Sequence, residues 1–348
     1  GHSFIAMDRT AVADVSPTGA FARKASTFRN AFDANGAHPP EAHRYVLVVS
    51  LACPWATRCL AALHAKGLED VLDVAVTHPV WGKTRPNDPN DAHAGWRFVK
   101  PGTVVTGPSG RGAFEADARC SATACEGAEF VRDLYEICGA PTEQRFTVPL
   151  IWDTLRKTIV NNESSEILRE LNTKFQDFCS SDAAREVDLY PEHLRPKIDE
   201  INQWVYDDIN NGVYKCGFAV SQSAYDEAVK NLFSALDRCE ELLARSRYIA
   251  GDVFTEADVR LFMTLIRFDE VYVVYFKTNK KFIHQYEHMG AYVRELYQMP
   301  ALRRATDFAH IKQHYFASHP SLNPHAIVPC GPNVDLDAAH GRDGPYPR

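Results

Sequence analysis

The run YVLVVSLACPWAT, residues 45–57, passes from a β-branched apolar stretch directly into Cys53 and Pro54. Val, Leu and Tyr in such a run favour a strand. Beyond it Ala56, Leu60 and Leu63 recur at i, i+4 and i+7, the period of a helix that starts at Pro54. Proline suits the first helical position because its missing N–H would have no partner there. Cys53 is therefore expected where a strand ends and a helix begins, and there the free amides and the helix dipole favour a thiolate. A buried structural cysteine fits the same residues equally well.

Working outward, an apolar segment at 71–76 completes a βαβ unit, which is built as a right-handed crossover between parallel strands. A helix is expected over 126–138, where Ala128, Val131, Leu134, Tyr135 and Cys138 share one face. Strands follow in TVPLIWD (147–153) and KTIVNN (157–162), then a helix opened by Glu163-Ser164-Ser165. This is the element order of a thioredoxin-type domain. A strand entered through Thr147-Val148-Pro149 is not expected in the middle of a sheet, because proline lacks the ladder donor. The stretch 81–126 is polar and rich in Gly and Pro, and reads as a surface loop or insertion.

After about residue 190 the period becomes helical throughout, with helices expected over 194–210, 223–244, 257–269, 283–298 and 301–315. In FTEADVRLF, Thr255 stands three residues before Asp258, so each side chain can satisfy an amide of the first turn. The expected fold class is α/β plus all-α, a thioredoxin-like domain followed by an all-helical one. The expected limits are an extension at 1–43, the thioredoxin-like domain at 44–180, the helical domain at 181–318 and a second extension at 319–348. Within the first extension, FARKASTFRNAF (21–32) is the one helix-like or docking piece.

Across its 348 residues the chain is 45% hydrophobic and 24% charged, the composition of an ordinary globular protein. A net charge of -7 argues against a general nucleic-acid or anionic-membrane partner. No apolar run approaches the roughly 18 residues that span a bilayer. Nine scattered cysteines make a poor disulfide framework and suit a reducing compartment. A cytoplasmic location is expected, or an organellar one if a transit peptide preceded Gly1-His2-Ser3.

The residue three after Cys53 is Ala56, so the motif has no CxxC pair, and Cys59 falls within the helix. A lone cysteine points to a mixed disulfide with glutathione that a second glutathione resolves. Pro149, opening a strand after a turn, is expected to be cis and to present the Val148 backbone to an extended peptide. Glu163 and Ser164 at a helix start suit an amino-acid end, the amides and hydroxyl taking a carboxylate and Glu163 an ammonium. One thiol, one peptide edge and one zwitterion site describe a glutathione pocket. A plain turn proline and a plain N-cap would leave the same residues. His310 and His314 in HIKQH share a helical turn, but the Glu of HExxH is absent and no carboxylate or cysteine stands nearby, so no metal is expected. GPSGRG (107–112) does not open a helix after a strand and is not read as a phosphate loop.

The chain resembles the glutathionyl-hydroquinone reductases, or Xi-class glutathione transferases, in SLACPWATR (50–58), GWRF (95–98), TVPLIWD (147–153), TIVNNESSEI (158–167), INNGVYKCGFA (209–219), RYIAGDVFTEADVRLF (247–262), RFDEVYVVYFK (267–277) and HIKQHYF (310–316). The resemblance implies a glutathione-transferase helical domain carrying the hydrophobic substrate site, glutathione as co-substrate, no metal and a homodimer assembled through the helical domains. It implies Cys53 as the catalytic residue, Trp96, Val148, Glu163 and Ser164 as glutathione contacts, and Tyr214 and Tyr315 as partners of the hydroquinone hydroxyls. Arg97 and Arg145 are further candidates for the glutathione carboxylates. The implied reaction converts a glutathionyl-hydroquinone and glutathione into hydroquinone and glutathione disulfide. Omega-class transferases share only the CPxA element and the general fold, and an Omega-like thiol transferase or dehydroascorbate reductase is the alternative activity. A glutathione-linked binding protein is the alternative without chemistry. The chain departs from the family between 102 and 126, where it carries extra residues including Cys120 and Cys125.

Overall fold

The computed structural model describes residues 25–142 and 144–344. Four strands form one sheet: β1 (Tyr45–Val49), β2 (Asp73–Val76), β3 (Leu150–Asp153) and β4 (Thr158–Asn161), in the order β2-β1-β3-β4. Helix α1 (Pro54–Ala65) joins β1 to the parallel β2, while β3 runs antiparallel to both β1 and β4. All five residues of β1 are buried, as an unbroken apolar strand covered on both faces should be. Two more helices belong to this unit, α2 (Val131–Ile137) and α3 (Ser164–Thr173). Helix α2 starts later than its periodicity suggests because the Asp133 carboxylate accepts the N–H groups of Glu129 (3.0 Å) and Phe130 (2.8 Å). This caps the helix at Phe130.

Contrary to the sequence expectation, β3 lies inside the sheet. Its ladder begins at Leu150, so Pro149 stands just outside it and no pairing donor is missing. The Val148–Pro149 peptide is cis. Residues 81–126 also differ from a plain surface loop. Gly82–Lys83 pairs with Ala94–Gly95 and Val104–Val105 with Phe114–Glu115, and Trp81, Trp96, Phe98 and Cys120 are buried.

The segment before β1 docks as an extended chain. Asn30 N–H donates to Val160 O (3.0 Å) and Asn162 N–H to Phe28 O (2.9 Å), so residues 28–30 cover the free edge of β4. Phe32 then packs edge-on against Tyr45 and Phe175. No helix forms over residues 25–32, and residues 21–24 of the expected docking piece lie outside the described residues.

The helical half has a short helical turn at Asp182–Glu186 and then α4 (Arg195–Trp204), which continues through a wide turn at Val205–Asn210 into α5 (Gly212–Gly217). It goes on with α6 (Gln222–Leu243) and α7 (Glu256–Arg267), the latter extended by a second wide turn at Phe268–Tyr272. The last are α8 (Glu287–Gln298), α9 (Pro300–Arg304) and α10 (Phe308–Ser318). The single helix expected over 301–315 is thus two, because Asp307 accepts His310 N–H (2.8 Å) and caps a new start. The Thr255/Asp258 cap forms as read, Asp258 also accepting Ile249 N–H (2.9 Å) and the Tyr292 hydroxyl (2.7 Å). Helix α1 packs against both α3 and α7, and one apolar core runs through the two halves. No helix of the described residues is long and apolar enough to cross a membrane.

At the end of β3 the buried Asp153 carboxylate takes Arg44 (3.1 and 2.7 Å), His38 (2.8 Å) and the N–H groups of Leu155 and Arg156. Burial alone would raise its pKa, but the Arg44 and His38 hydrogen bonds outweigh it and hold the group at about 2 against an ordinary 3.8. A depressed carboxyl contributes stability above the unfolded value and loses it as pH falls through the folded one. Between pH 4 and 2 the unfolding free energy should therefore drop by roughly 2 kcal/mol from this group alone. Urea titrations of the native chain and of Asp153→Asn should show that component of the slope only in the native chain.

Candidate active site

Cys53 is the N-cap of α1, with extended backbone (φ -81, ψ 117) and Pro54 next to it. Its sulfur lies 3.6 Å from Val148 O, so the thiol and the residue before the cis-proline face each other. Both line a cleft of about 570 Å³ between the two halves of the molecule. Trp96, Glu163, Ser164, Tyr214 and Tyr315 line the same cleft, which gathers every site residue expected from the sequence. Of the two further candidates, Arg145 lines it and Arg97 does not; the Arg97 guanidinium donates to Val80 O (3.0 Å) and Thr106 O (2.6 Å).

One end of the cleft is polar. Glu163 caps α3, accepting Ser165 N–H (3.1 Å) and the hydroxyls of Ser165 (2.7 Å) and Ser26 (2.9 Å). Burial alone would raise its pKa, but the Arg58 guanidinium 3.7 Å away and the serine hydrogen bonds outweigh it and hold the carboxyl below its ordinary value. Arg58 donates to Ser164 Oγ at 2.6 Å, which leaves the hydroxyl hydrogen free to donate into the cleft. Burial lowers Arg58 to about 10, still protonated at neutral pH. A carboxylate, a guanidinium and a helix start thus stand together, suited to a ligand carrying both an anion and a cation.

The other end is aromatic. Tyr315 shares its hydroxyl with Tyr214 (2.7 Å) and Tyr272 (2.9 Å), and all three rings are buried. Burial and neighbouring phenols raise Tyr272 and Tyr315 well above the ordinary value, so both remain protonated hydrogen-bonding groups. Trp96 stacks on His314 (4.5 Å between centroids) and meets Trp81 edge-on. Burial keeps His314 and His319 neutral, with His319 lowered to about 4. His319 Nδ1 lies 3.2 Å from Tyr315 O, and its Nε2 is buried without a partner among the described residues, as is Trp81 Nε1. Both residues line the cleft, so a ligand there can supply what these atoms lack.

Sequence reading missed several of these groups. Ser26 arrives from the N-terminal segment, and Arg58 reads as one more helical arginine until the fold sets it against α3. Tyr272 and His319 belonged to the quoted RFDEVYVVYFK and to the residues just after HIKQHYF, but their facing requires the wide turn at Phe268–Tyr272. His310 and His314 do not converge; His314 Nδ1–H donates to Pro79 O (2.9 Å), with Ser318 Oγ 3.1 Å away, beside the cleft, while His310 turns toward Asp117.

Arg267 lies beneath the site, wholly buried, donating to Leu51 O (3.1 Å), Ala52 O (3.0 Å), Met263 O (2.7 Å) and Thr57 Oγ1 (3.0 Å). It fixes the backbone just before Cys53 from the helical half. Cys59, six residues further along α1, is fully buried beneath Ser164 O (3.2 Å), and burial pushes its thiol up to about 12. Iodoacetamide should therefore alkylate Cys53 well before Cys59 in the folded chain, as followed by peptide mass mapping over time. Equal rates at the two sulfurs would contradict the placement of Cys53, and not Cys59, on the cleft wall.

The comparisons agree with this architecture. Residues 52–174 match the family model of the glutathione S-transferase N-terminal domain, and residues 222–295 that of the C-terminal domain. The chain is 43% identical over 336 residues to glutathionyl-hydroquinone reductase YqjG of Escherichia coli, covering 94% of each protein. The glutathione-bound structure of YqjG superposes with a TM-score of 0.79, covering 91% of this chain and 96% of that one. Glutathione S-transferase omega-like 2 of Schizosaccharomyces pombe is 41% identical, over 95% of this chain and 99% of its own. The glutathione-S-transferase Xi of Phanerochaete chrysosporium superposes with a TM-score of 0.82 at 44% identity, covering 94% of this chain and 97% of its own. With that likeness along nearly its whole length, and with a lone cysteine at the start of α1 in a thioredoxin-like unit joined to a helical one, the chain belongs to the Xi-class glutathione transferases, the family of the glutathionyl-hydroquinone reductases.

Proposed function

We propose that this protein is a glutathionyl-hydroquinone reductase. The observation that carries the proposal is the placement of Cys53, the Glu163/Ser164 helix start and the Tyr214–Tyr315 hydroxyl pair around one cleft. The polar end takes the glutamyl group of glutathione: Ser164 and the first amides of α3 bind its carboxylate, and Glu163 its ammonium. The Val148 backbone pairs with the peptide portion, and Trp96 packs over it. Glutathione sulfur is thereby brought to Cys53.

In the proposed reaction the Cys53 thiolate attacks the sulfur of the glutathionyl-hydroquinone. The carbon–sulfur bond breaks, its electron pair goes to the ring carbon, and that carbon takes a proton. Hydroquinone leaves and a Cys53–glutathione disulfide remains. A second glutathione thiolate attacks the glutathionyl sulfur, restores the Cys53 thiolate and departs as glutathione disulfide. An aryl carbon leaves readily only when the ring can pass through a quinone-like tautomer. Hydrogen bonds from Tyr214 and Tyr315 to the ring hydroxyl favour that form and strengthen as charge develops there.

Domain limits at 44–180 and 181–318, a homodimer joined through the helical domains, and a reducing cytoplasmic setting belong to the same proposal. The nine cysteines, all free thiols among the described residues, are in keeping with the last of these. An Omega-like thiol transferase is the second reading, favoured by the likeness to glutathione S-transferase omega-like 2 of Schizosaccharomyces pombe.

Glutathione-dependent release of hydroquinone from a synthetic glutathionyl-hydroquinone should proceed with the native chain and stop with Cys53→Ser. If the native chain is inactive there but reduces a small glutathione mixed disulfide, the second reading holds. Tyr315→Phe should lower kcat/KM for the hydroquinone conjugate about 10- to 100-fold, the value of one hydrogen bond to a charged group. Its rate on the simple mixed disulfide should stay near native, because no ring hydroxyl needs a partner there.

A further inference from the structure

Away from the cleft, the turn at residues 117–120 meets helix α10. Asp117, Cys120 and His310 bring a carboxylate oxygen, a sulfur and an imidazole nitrogen within 4.8 Å of one another. Cys120 and His310 are 5% and 3% exposed, while Asp117 opens to solvent. The reaction proposed above uses none of the three.

The arrangement is held from both sides. Residues 117–120 form a turn in which Cys120 N–H donates to Asp117 O (3.2 Å) and Arg119 N–H to Asp117 Oδ1 (2.9 Å). Carboxylate and thiol thus leave the turn on the same side, and Oδ2 faces His310 Nε2 at 3.2 Å. The turn is anchored beside the sheet, where Ser121 N–H donates to Val76 O (2.9 Å) and Val76 N–H to Ser121 Oγ (3.0 Å). His310 is fixed in the first turn of α10 by the Asp307 cap.

We infer that Asp117, Cys120 and His310 form a zinc site with three protein ligands and a fourth position open to solvent. Thiolate, imidazole and carboxylate are the donor types zinc takes, and metal–ligand distances of about 2.0 Å place neighbouring oxygen and nitrogen ligands about 3.3 Å apart in a tetrahedron. The Asp117–His310 separation already matches that edge. One thiolate and one carboxylate neutralise the two charges of the ion. On binding, the Cys120 S–H bond breaks, its proton passes to solvent and a sulfur–zinc bond forms. His310 coordinates through Nε2, and its ring hydrogen sits on Nδ1, which is buried without a partner among the described residues. In the metal-free chain, burial and the adjacent Asp117 push the Cys120 thiol up to about 12, so the sulfur stays protonated until an ion displaces the hydrogen.

The ion would tie the 117–120 turn, and through Ser121 the edge of the sheet, to the helix that carries His314 and Tyr315. It is a structural clamp, separate from the reaction.

Cobalt(II) added to the metal-free full-length chain tests this, with zinc as competitor. The expected result is one equivalent bound per chain, with thiolate-to-cobalt charge-transfer absorption and the intense visible bands of tetrahedral cobalt. These should persist in Cys53→Ser, weaken more than about 100-fold in apparent affinity in Cys120→Ser and in His310→Gln, and vanish when zinc is added. Zinc should also raise the thermal midpoint of the native chain and leave that of Cys120→Ser unchanged. Cobalt bands that survive Cys120→Ser, or no tetrahedral bands in the native chain, would overturn the proposal; the three side chains would then form a metal-free hydrogen-bonded cluster. Comparing circular dichroism of the variants with that of the native chain separates loss of the site from loss of the fold.

Discussion

The guanidinium of Arg267 sits at the junction on which the rest depends. It is a charge removed from water, with no carboxylate among the described residues within ion-pair distance, and four oxygens from two parts of the chain hold it. Such a group is tolerated only when its donors are satisfied, so the carbonyls of Leu51 and Ala52 cannot drift without leaving buried polar hydrogens unpaired. Because those carbonyls immediately precede Cys53, the helical half sets the position of a thiol that belongs to the thioredoxin-like half. Its field reaches the tyrosine cluster as well, opposing the burial that raises Tyr272 and Tyr315. Both walls of the cleft therefore lean on the same buried charge.

Seen from that point, the cleft is divided by electrostatics. At one end Glu163 and Arg58 keep their charges close together. At the other, burial keeps the phenols and imidazoles neutral, and the low polarity of buried surroundings strengthens a hydrogen bond made to a ring hydroxyl. Cys53 stands between the two environments. A conjugate that joins a charged peptide to a phenolic ring matches that division along its own length.

How much of this was legible in the amino-acid order follows from the range of each interaction. Cys53 beside Pro54, Thr255 with Asp258 and Glu163 before its helix are contacts within a few residues, and local pattern carries them. The strand run at Tyr45 identified the sheet, but not that β3 would lie inside it, since the ladder's starting residue depends on where β1 meets it. Ser26 on Glu163, Arg58 on Ser164 and Asp117 on His310 join distant segments and leave no period to read. The wide turns at Val205–Asn210 and Phe268–Tyr272 shift the helical register, so the faces on which Tyr214 and Tyr272 meet cannot be projected from a uniform 3.6-residue spacing.

The extended segment along β4 has a further bearing. It closes the sheet's free edge, which would otherwise offer unpaired backbone groups to another chain. The same segment places Ser26 on Glu163 and lines the cleft with Ala25 and Thr27. Edge protection and ligand capture are thus linked equilibria: whatever strengthens the seating of this strand tightens the peptide end of the cleft, and by reciprocity an occupied cleft guards the sheet against self-association.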